Sequence, residues 1–285
     1  MSVACVTMVY NEPEYLPLWV EHYSKEVGRQ NLYIVDHSST DRSLDAYRDL
    51  SIIRVPRSVQ NDKQRTKFLS GFCSSLLEYY QSVIYTDCDE ILVADPDKYD
   101  SLHSFCFANK NHPAITAVGL NVTHVVDEER DIDLQRPLTE QRKYVRFVSP
   151  MCKPCVIHEP VNWSPGFHSC EHHAVFKDLY MFHLRYFDLN LGLDRLERTR
   201  SMGWVSETAG RHQRVDDDTW RKWFSQFSRF DRLGTFMDEY GSNRLDELKQ
   251  EFLNSRKVDQ RGHVTFDRVA PNELFVIPER FLRKF

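Results

Sequence analysis

No stretch of this 285-residue chain reaches the roughly 18 consecutive apolar residues that a membrane-crossing helix needs, so no transmembrane segment is expected. The opening residues Met1 to Tyr10 lack the basic start, the long apolar stretch and the small-residue cleavage site of a secretory signal, so the expected location is the cytoplasm. An excess of positive charge is missing too. A formal charge of −5 and a pI near 6.2 leave no global footprint of a nucleic-acid binder. Internal repeats and low-complexity tracts are absent, and no glycine-rich loop follows the first apolar run, which disfavours a nucleotidyltransferase acting on sugar phosphates. The seven cysteines are an odd number without an export signal, and they read as free thiols. What the chain does have is 41% hydrophobic residues, enough to bury the core of one large domain or of a domain with an appendage. Its 13% aromatics suit lined pockets as well as a core.

The apolar runs alternate with amphipathic stretches. Residues 3–10 are β-rich and end at Asn11-Glu12-Pro13, as a strand buried on both faces does. Glu14 to about Val27 has helical spacing, with Gly28 as its stop. Leu32 to Asp36 reads as a second strand, and the polar turn His37 to Asp41 as the cap of a helix from near Arg42. Ile52 to Val55 is a third strand, about Lys63 to Tyr80 a helix, and Val83 to Val93 a fourth strand. This alternation predicts a parallel α/β sheet. Further strands are expected at 115–122, 153–157, 174–176 and 179–184, with a helix near 101–108 and a highly charged excursion over 124–142. From Asp188 the pattern turns helical, near 189–206, 217–238 and 243–255, and a small strand returns at 273–278.

Within the fourth strand stand Asp87, Asp89 and Glu90, three carboxylates in four positions. Each costs several kcal/mol to desolvate unless something positive meets it. Hard oxygen ligands suit magnesium or manganese, which keep open positions for phosphate oxygens. The plain alternative is that the acids terminate a strand. Asn11, Asp36 and the Asp87/Asp89 pair all follow the carboxyl ends of predicted parallel strands, the edge where open α/β sheets bind ligands.

The order and spacing of these segments resemble a glycosyltransferase of the A-type (GT-A) fold, in the broad family-2-like group. The matching pieces are Val6 to Glu12, Ile34 to Asp41, Lys63-Gln64-Arg65, and Tyr85 to Glu90 as the D-x-D element. Gly166-Phe167-His168 and Phe182 to Tyr186 resemble closing histidine segments of one subgroup, so the likeness covers roughly residues 3–190. His37 and Ser38 stand where the family has an acid and a glycine, and the glutamate-aspartate pair of inverting members has no counterpart. The resemblance implies a Rossmann-like mixed sheet flanked by helices as a catalytic unit over 1–188, with a helical extension over 189–285 packed on the same core. It implies transfer of a sugar from a nucleotide-diphosphate donor, a UDP-sugar first, to a glycan or lipid-linked acceptor in surface-polysaccharide synthesis. The cofactor implied is Mn2+ or Mg2+.

In that reading Asp89 binds the metal, Asp87 touches the ribose or a metal-bound water, and Glu90 orients its neighbours. Thr7, Val9, Asn11 and Glu12 lie against the base, Asp36 accepts from ribose or uracil, and Lys63, Arg65 and Cys88 complete the donor site; each is otherwise a turn, cap or surface residue. His183, and after it His168, is the candidate imidazole ligand, with a satisfied core or loop histidine as the alternative. A rival set, Cys152, Cys155, His158, His168, Cys170, His172 and His173, has the donors for a structural zinc. Candidates for the base are Asp127, Glu128, Glu129, Glu159 and Glu171, none favoured by spacing and most expected to be solvated. The aromatic face from Trp220 to Phe236 reads first as core packing; a peripheral membrane surface is the alternative. A silent nucleotide-binding or zinc-stabilised interaction module is the competing function.

Overall fold

The computed structural model describes residues 2–258, 260 and 264–285. The first half alternates as β1 (Val3–Val9), α1 (Tyr15–Val27), β2 (Leu32–Asp36), β3 (Ser51–Arg54), α2 (Asp62–Leu76), β4 (Ser82–Tyr85), β5 (Glu90–Ala94) and α3 (Leu102–Ala108). The second half runs β6 (Ala114–Thr123), β7 (Tyr144–Phe147), β8 (Pro154–Ile157), β9 (Phe176–Tyr186), α4 (Leu189–Ser201), α5 (Asp217–Phe227), β10 (Asp231–Thr235), α6 (Glu239–Asn254), β11 (Lys257–Val258), β12 (Val264–Thr265) and β13 (Glu273–Val276). The result is a mixed α/β architecture with helices against a central sheet. Among the described residues that sheet runs β10-β13-β7-β6-β8-β4-β1-β2-β3, with β9 also paired to β6 and β5 paired to β9. Strands β4, β1, β2 and β3 are mutually parallel, whereas β8 lies antiparallel to β4 and β6.

Four expected elements differ. The run from Val83 to Val93 is two strands: after Tyr85 the chain leaves the flank of β1, turns through Thr86 to Asp89, and pairs antiparallel with β9. No α-helix starts at Arg42. Asp36 and Asn11 accept from the N–H groups of Ser39, Thr40 and Asp41, which fixes the loop, and one 3₁₀ turn at Asp45–Tyr47 is all that forms. The helix expected over 217–238 stops at Phe227, because Asp231–Thr235 pairs parallel to β13. The stretches near 174–176 and 179–184 merge into one strand, β9. The span after Asp188 thus supplies two strands of the main sheet as well as its helices.

Helix α1 shows how packing positions the rest. Tyr15, Trp19, Tyr23 and Val27 recur every fourth residue and are buried. Three of its polar side chains reach the segment after β4: Trp19 Nε1 donates to Thr86 Oγ1 at 2.8 Å, Tyr23 Oη donates to the Glu90 carbonyl at 2.9 Å, and His22 Nε2 meets the Leu92 carbonyl at 2.8 Å. The aromatic face of α5 is core: Trp220, Phe224 and Phe227 pack with Leu196, Tyr186 and Trp223.

Gly119 in β6 lets the backbone of Met151 and Cys152 approach so closely that an added Cβ would overlap both. Gly119→Ala is expected to cost about 1–3 kcal/mol through backbone displacement, read from urea unfolding midpoints at unchanged slope.

Candidate functional site

The carboxyl ends of β1, β2 and β4 open on a cleft of about 790 Å³, whose far wall comes from β9, α4 and α5. The loops at this edge are tied by short polar side chains. Asn11 takes a left-handed conformation (φ 53°), and its Oδ1 accepts from Thr40 N at 2.8 Å. Asp36 accepts from Ser39 N at 2.6 Å and faces Arg54 at 3.7 Å. Arg57 lies over the Tyr10 ring at 3.6 Å and meets His37 at 2.9 Å.

On the cleft floor each carboxylate of the D-x-D segment has its own cation. Asp87 accepts from Arg65, from Tyr85 Oη at 3.0 Å and from Lys153 Nζ at 3.3 Å. Glu90 binds Lys153 Nζ at 2.5 Å through one oxygen and the Asp87 N–H at 3.0 Å through the other. Asp89 is paired with Arg195 and lies 3.4 Å from His183 Nε2, and Arg195 also grips Glu12 at 2.9 Å above the Tyr15 ring. Burial pushes all these acids up. For Asp87 the charges of Arg65 and Lys153 outweigh it and hold the carboxyl at about 2. For Asp89 the charge of Arg195 likewise wins and holds it well below the usual range. Glu90, the most enclosed, stays above its ordinary value despite Lys153. Burial also raises Glu12, and among the described residues one of its oxygens has no hydrogen-bond partner.

Ligand atoms of Asp89, Glu90 and His183 lie within 4.8 Å of one another, and two carboxylates with an imidazole suit a divalent cation such as manganese. Asp87 is outside this group, its oxygens engaged as described. His168 lines the cleft but gives its Nδ1 to the Pro150 carbonyl at 2.7 Å. The zinc set is not gathered: among the described residues no Cys–His group comes within ligating reach, Cys152 accepts from Gly119 N and Cys155 donates to the Lys153 carbonyl. All seven cysteines are buried and unpaired. A second acidic group, His124 with Asp131 and Asp188, is used by the fold, since Asp188 caps α4 and pairs with Arg142 at 3.0 Å.

Val9, Glu12, Arg65, Asp87, Cys88, Asp89, His168 and His183 line the cleft, while Thr7 is buried inside β1 and Lys63 is exposed at the start of α2. Asp127, Glu128, Glu129, Glu159 and Glu171 are not among the lining residues described. Glu128 bonds Tyr144 and Arg232, Glu129 holds the N–H groups of Val125 and Lys143, and Glu171 holds Asn162. Lys153, Arg195 and Asn121 were not legible as site residues. The unpaired acids near Asp89 called for cations, but nothing in the spacing said which ones.

No protein-family profile and no curated protein sequence matches the chain. Among solved structures it is similar to the mannosyltransferase PcManGT from Pyrobaculum calidifontis, in complex with GDP-Man and Mn2+, at 19% identity and a TM-score of 0.28 over 41% of this chain. It is also similar to CMP:2-keto-3-deoxy-manno-octonic acid synthetase complexed with CTP, at 10% identity and a TM-score of 0.29 over 45% of this chain. The chain spans 35% of the first protein's length and 55% of the second's. With overlaps this limited, it is the chemistry of the cleft itself that bears on function.

Lys153→Met should cost up to about 3–5 kcal/mol at a pH high enough to ionise Glu90, because it strands the buried Glu90 carboxylate. Without its cation Glu90 would hold a proton more tightly folded than unfolded, a stabilisation complete below its ordinary value of 4.5 and lost as pH rises. The deficit of the variant should therefore grow with pH in urea titrations; a pH-independent deficit would contradict this pairing.

Proposed function

We propose that the chain is a metal-dependent glycosyltransferase of the GT-A type, moving a sugar from a nucleotide-diphosphate donor, a UDP-sugar, to a glycan or glycoconjugate acceptor in surface-polysaccharide synthesis. The observation that carries this reading is the grouping of Asp89, Glu90 and His183 on the floor of a large cleft at the carboxyl edge of parallel strands. Asp89 and His183 would hold the cation, with Glu90 beside them. When bound, a divalent cation supplies Lewis-acid stabilisation of the charge that grows on a departing diphosphate.

The chain's own groups do the rest. Arg65 and Lys153 hold Asp87 ionised, so it can accept from a ribose hydroxyl or a coordinated water. Tyr10 and His37, at the ends of β1 and β2, with Arg57 from beyond β3 beside them, offer a planar surface for a base. Arg185 and Tyr186 line the opposite wall, backed by the buried Trp220, and Tyr186 gives that wall an aromatic surface for a sugar ring. Among the described residues no helix is long and apolar enough to cross a membrane, so a lipid-linked acceptor would be met at the membrane surface.

The test compares melting temperatures with Mn2+ alone, with UDP or GDP alone, and with metal and nucleotide together. A ligand held at about 100 times its Kd adds about 2.7 kcal/mol, a shift of several degrees, and the nucleotide is expected to add its own shift only when the metal is present. No shift with either nucleotide in the presence of Mn2+ or Mg2+ would overturn the reading. Asp89→Ala should abolish metal-dependent hydrolysis of the donor, with unchanged turnover speaking against its role. Binding without turnover of any donor would leave a nucleotide-binding module.

A further inference from the structure

Strand β9 runs between β5 and β6, and His183 is in register with one residue on each side: Glu90 across the antiparallel pair and Asn121 across the parallel one. Residues directly opposite in adjacent strands share a face, so the three side chains form a row along one surface of the sheet. All three are buried, at 1% exposure for Glu90, 6% for Asn121 and 9% for His183, so little water competes for their polar atoms. Within the row, His183 Nδ1 lies 2.8 Å from Asn121 Oδ1. A neutral imidazole has one donor and one acceptor nitrogen, and an amide oxygen only accepts. A proton is therefore on Nδ1, because a neutral ring carrying it on Nε2 alone would face two lone pairs at hydrogen-bond distance.

The consequence falls on the other nitrogen. With Nδ1 protonated, Nε2 is the nitrogen that faces Asp89 Oδ2 at 3.4 Å, and in the neutral ring it is a lone pair facing an acceptor. Arg195 shares that carboxylate oxygen but, among the described residues, makes no bond to the imidazole. Such a pair is joined either by a second proton, which makes the ring an imidazolium paired with Asp89, or by a metal ion in its place, and a nitrogen donor in the set favours a transition metal over magnesium. Among the described residues Asn121 has no other side-chain hydrogen bond that would compete for its oxygen.

We propose that Asn121 is a positioning residue for the metal: its side-chain oxygen fixes the His183 proton on Nδ1 and so makes His183 Nε2 with Asp89 a nitrogen–oxygen chelate that selects manganese over magnesium. The inference rests on the metal reading above and adds to it the choice of metal and the residue that sets it. Outer partners of ligating histidines orient the ring and fix its tautomer, and losing one weakens metal affinity by about 10–100-fold.

The test uses the full chain with Mn2+ alone, free metal being followed by electron paramagnetic resonance and Mg2+ added as competitor. Asn121→Ala should bind Mn2+ about 10–100-fold more weakly and lose preference over Mg2+. Asn121→Asp keeps an acceptor and should restore binding to within a few-fold of the parent chain. Nitrogen-15 spectra of the metal-free parent should show the His183 proton on Nδ1. Should the alanine variant fail to fold, the aspartate variant and the spectra still decide. Parent-like affinity in Asn121→Ala, a loss in Asn121→Asp equal to that in the alanine variant, or a ring protonated on Nε2 but not on Nδ1 would each overturn the proposal. These outcomes differ from failure of the functional reading, in which Mn2+ binds through His183 and depends on Asn121 while no nucleotide moves the melting temperature.

Discussion

Burying Asp87, Asp89 and Glu90 within four positions is the constraint on which the rest of the molecule depends. Left alone, such charges would cost several kcal/mol apiece. Their partners come from far along the chain: Arg65 is 22 residues from Asp87, Lys153 is 63 from Glu90, and Arg195 is 106 from Asp89. Each cation is delivered by an element that the sheet brings alongside. Lys153 directly precedes β8, which pairs with β4; Arg195 rides on α4, which follows β9, the partner of β5. The mixed topology is therefore the means by which three acids are neutralised at one place.

The segment carrying those acids is also held from behind. Trp19, His22 and Tyr23 of α1 bond to Thr86, Leu92 and the Glu90 carbonyl, all buried contacts away from the cleft. A helix whose sequence reads as ordinary amphipathic packing thus fixes the depth of the carboxylates. Hydrogen bonds of this kind sit on rigid elements, as a site that must keep its geometry requires. The loop ties of Asn11 and Asp36 do the same for the neighbouring edge.

Much of this was readable from residues alone, for physical reasons. Continuous apolar runs at Val3–Val9 and Leu32–Asp36 have few outcomes other than buried strands, and the polar residues after them fell where parallel strands end. The break after Tyr85 was not readable, because an apolar run on either side of four polar residues looks alike whether one strand continues or two strands turn. The helix expected beyond Phe227 failed for a related reason: spaced aromatics fit a helical face, and the parallel partner that draws Asp231–Thr235 into the sheet lies more than 40 residues on. Lys153, Arg195 and Asn121 were hidden because their significance lies in pairings across the sheet and between distant segments. Glu129 and Glu171 looked free in the sequence but bind backbone N–H groups in the folded chain.

The row Glu90, His183, Asn121 is set by two strand registers at once, one antiparallel and one parallel. Because side chains alternate faces, sliding either partner by a single residue would turn its member of the row to the other side of the sheet. In terms of length variation, this makes β5, β6 and β9 the stretches where a one-residue insertion or deletion is least tolerable. Point substitutions there change one group, whereas a slip exchanges an entire face. The charged excursion over 124–142, between β6 and β7, is held by side-chain bonds such as those of Glu128 and Glu129 and carries no such double register.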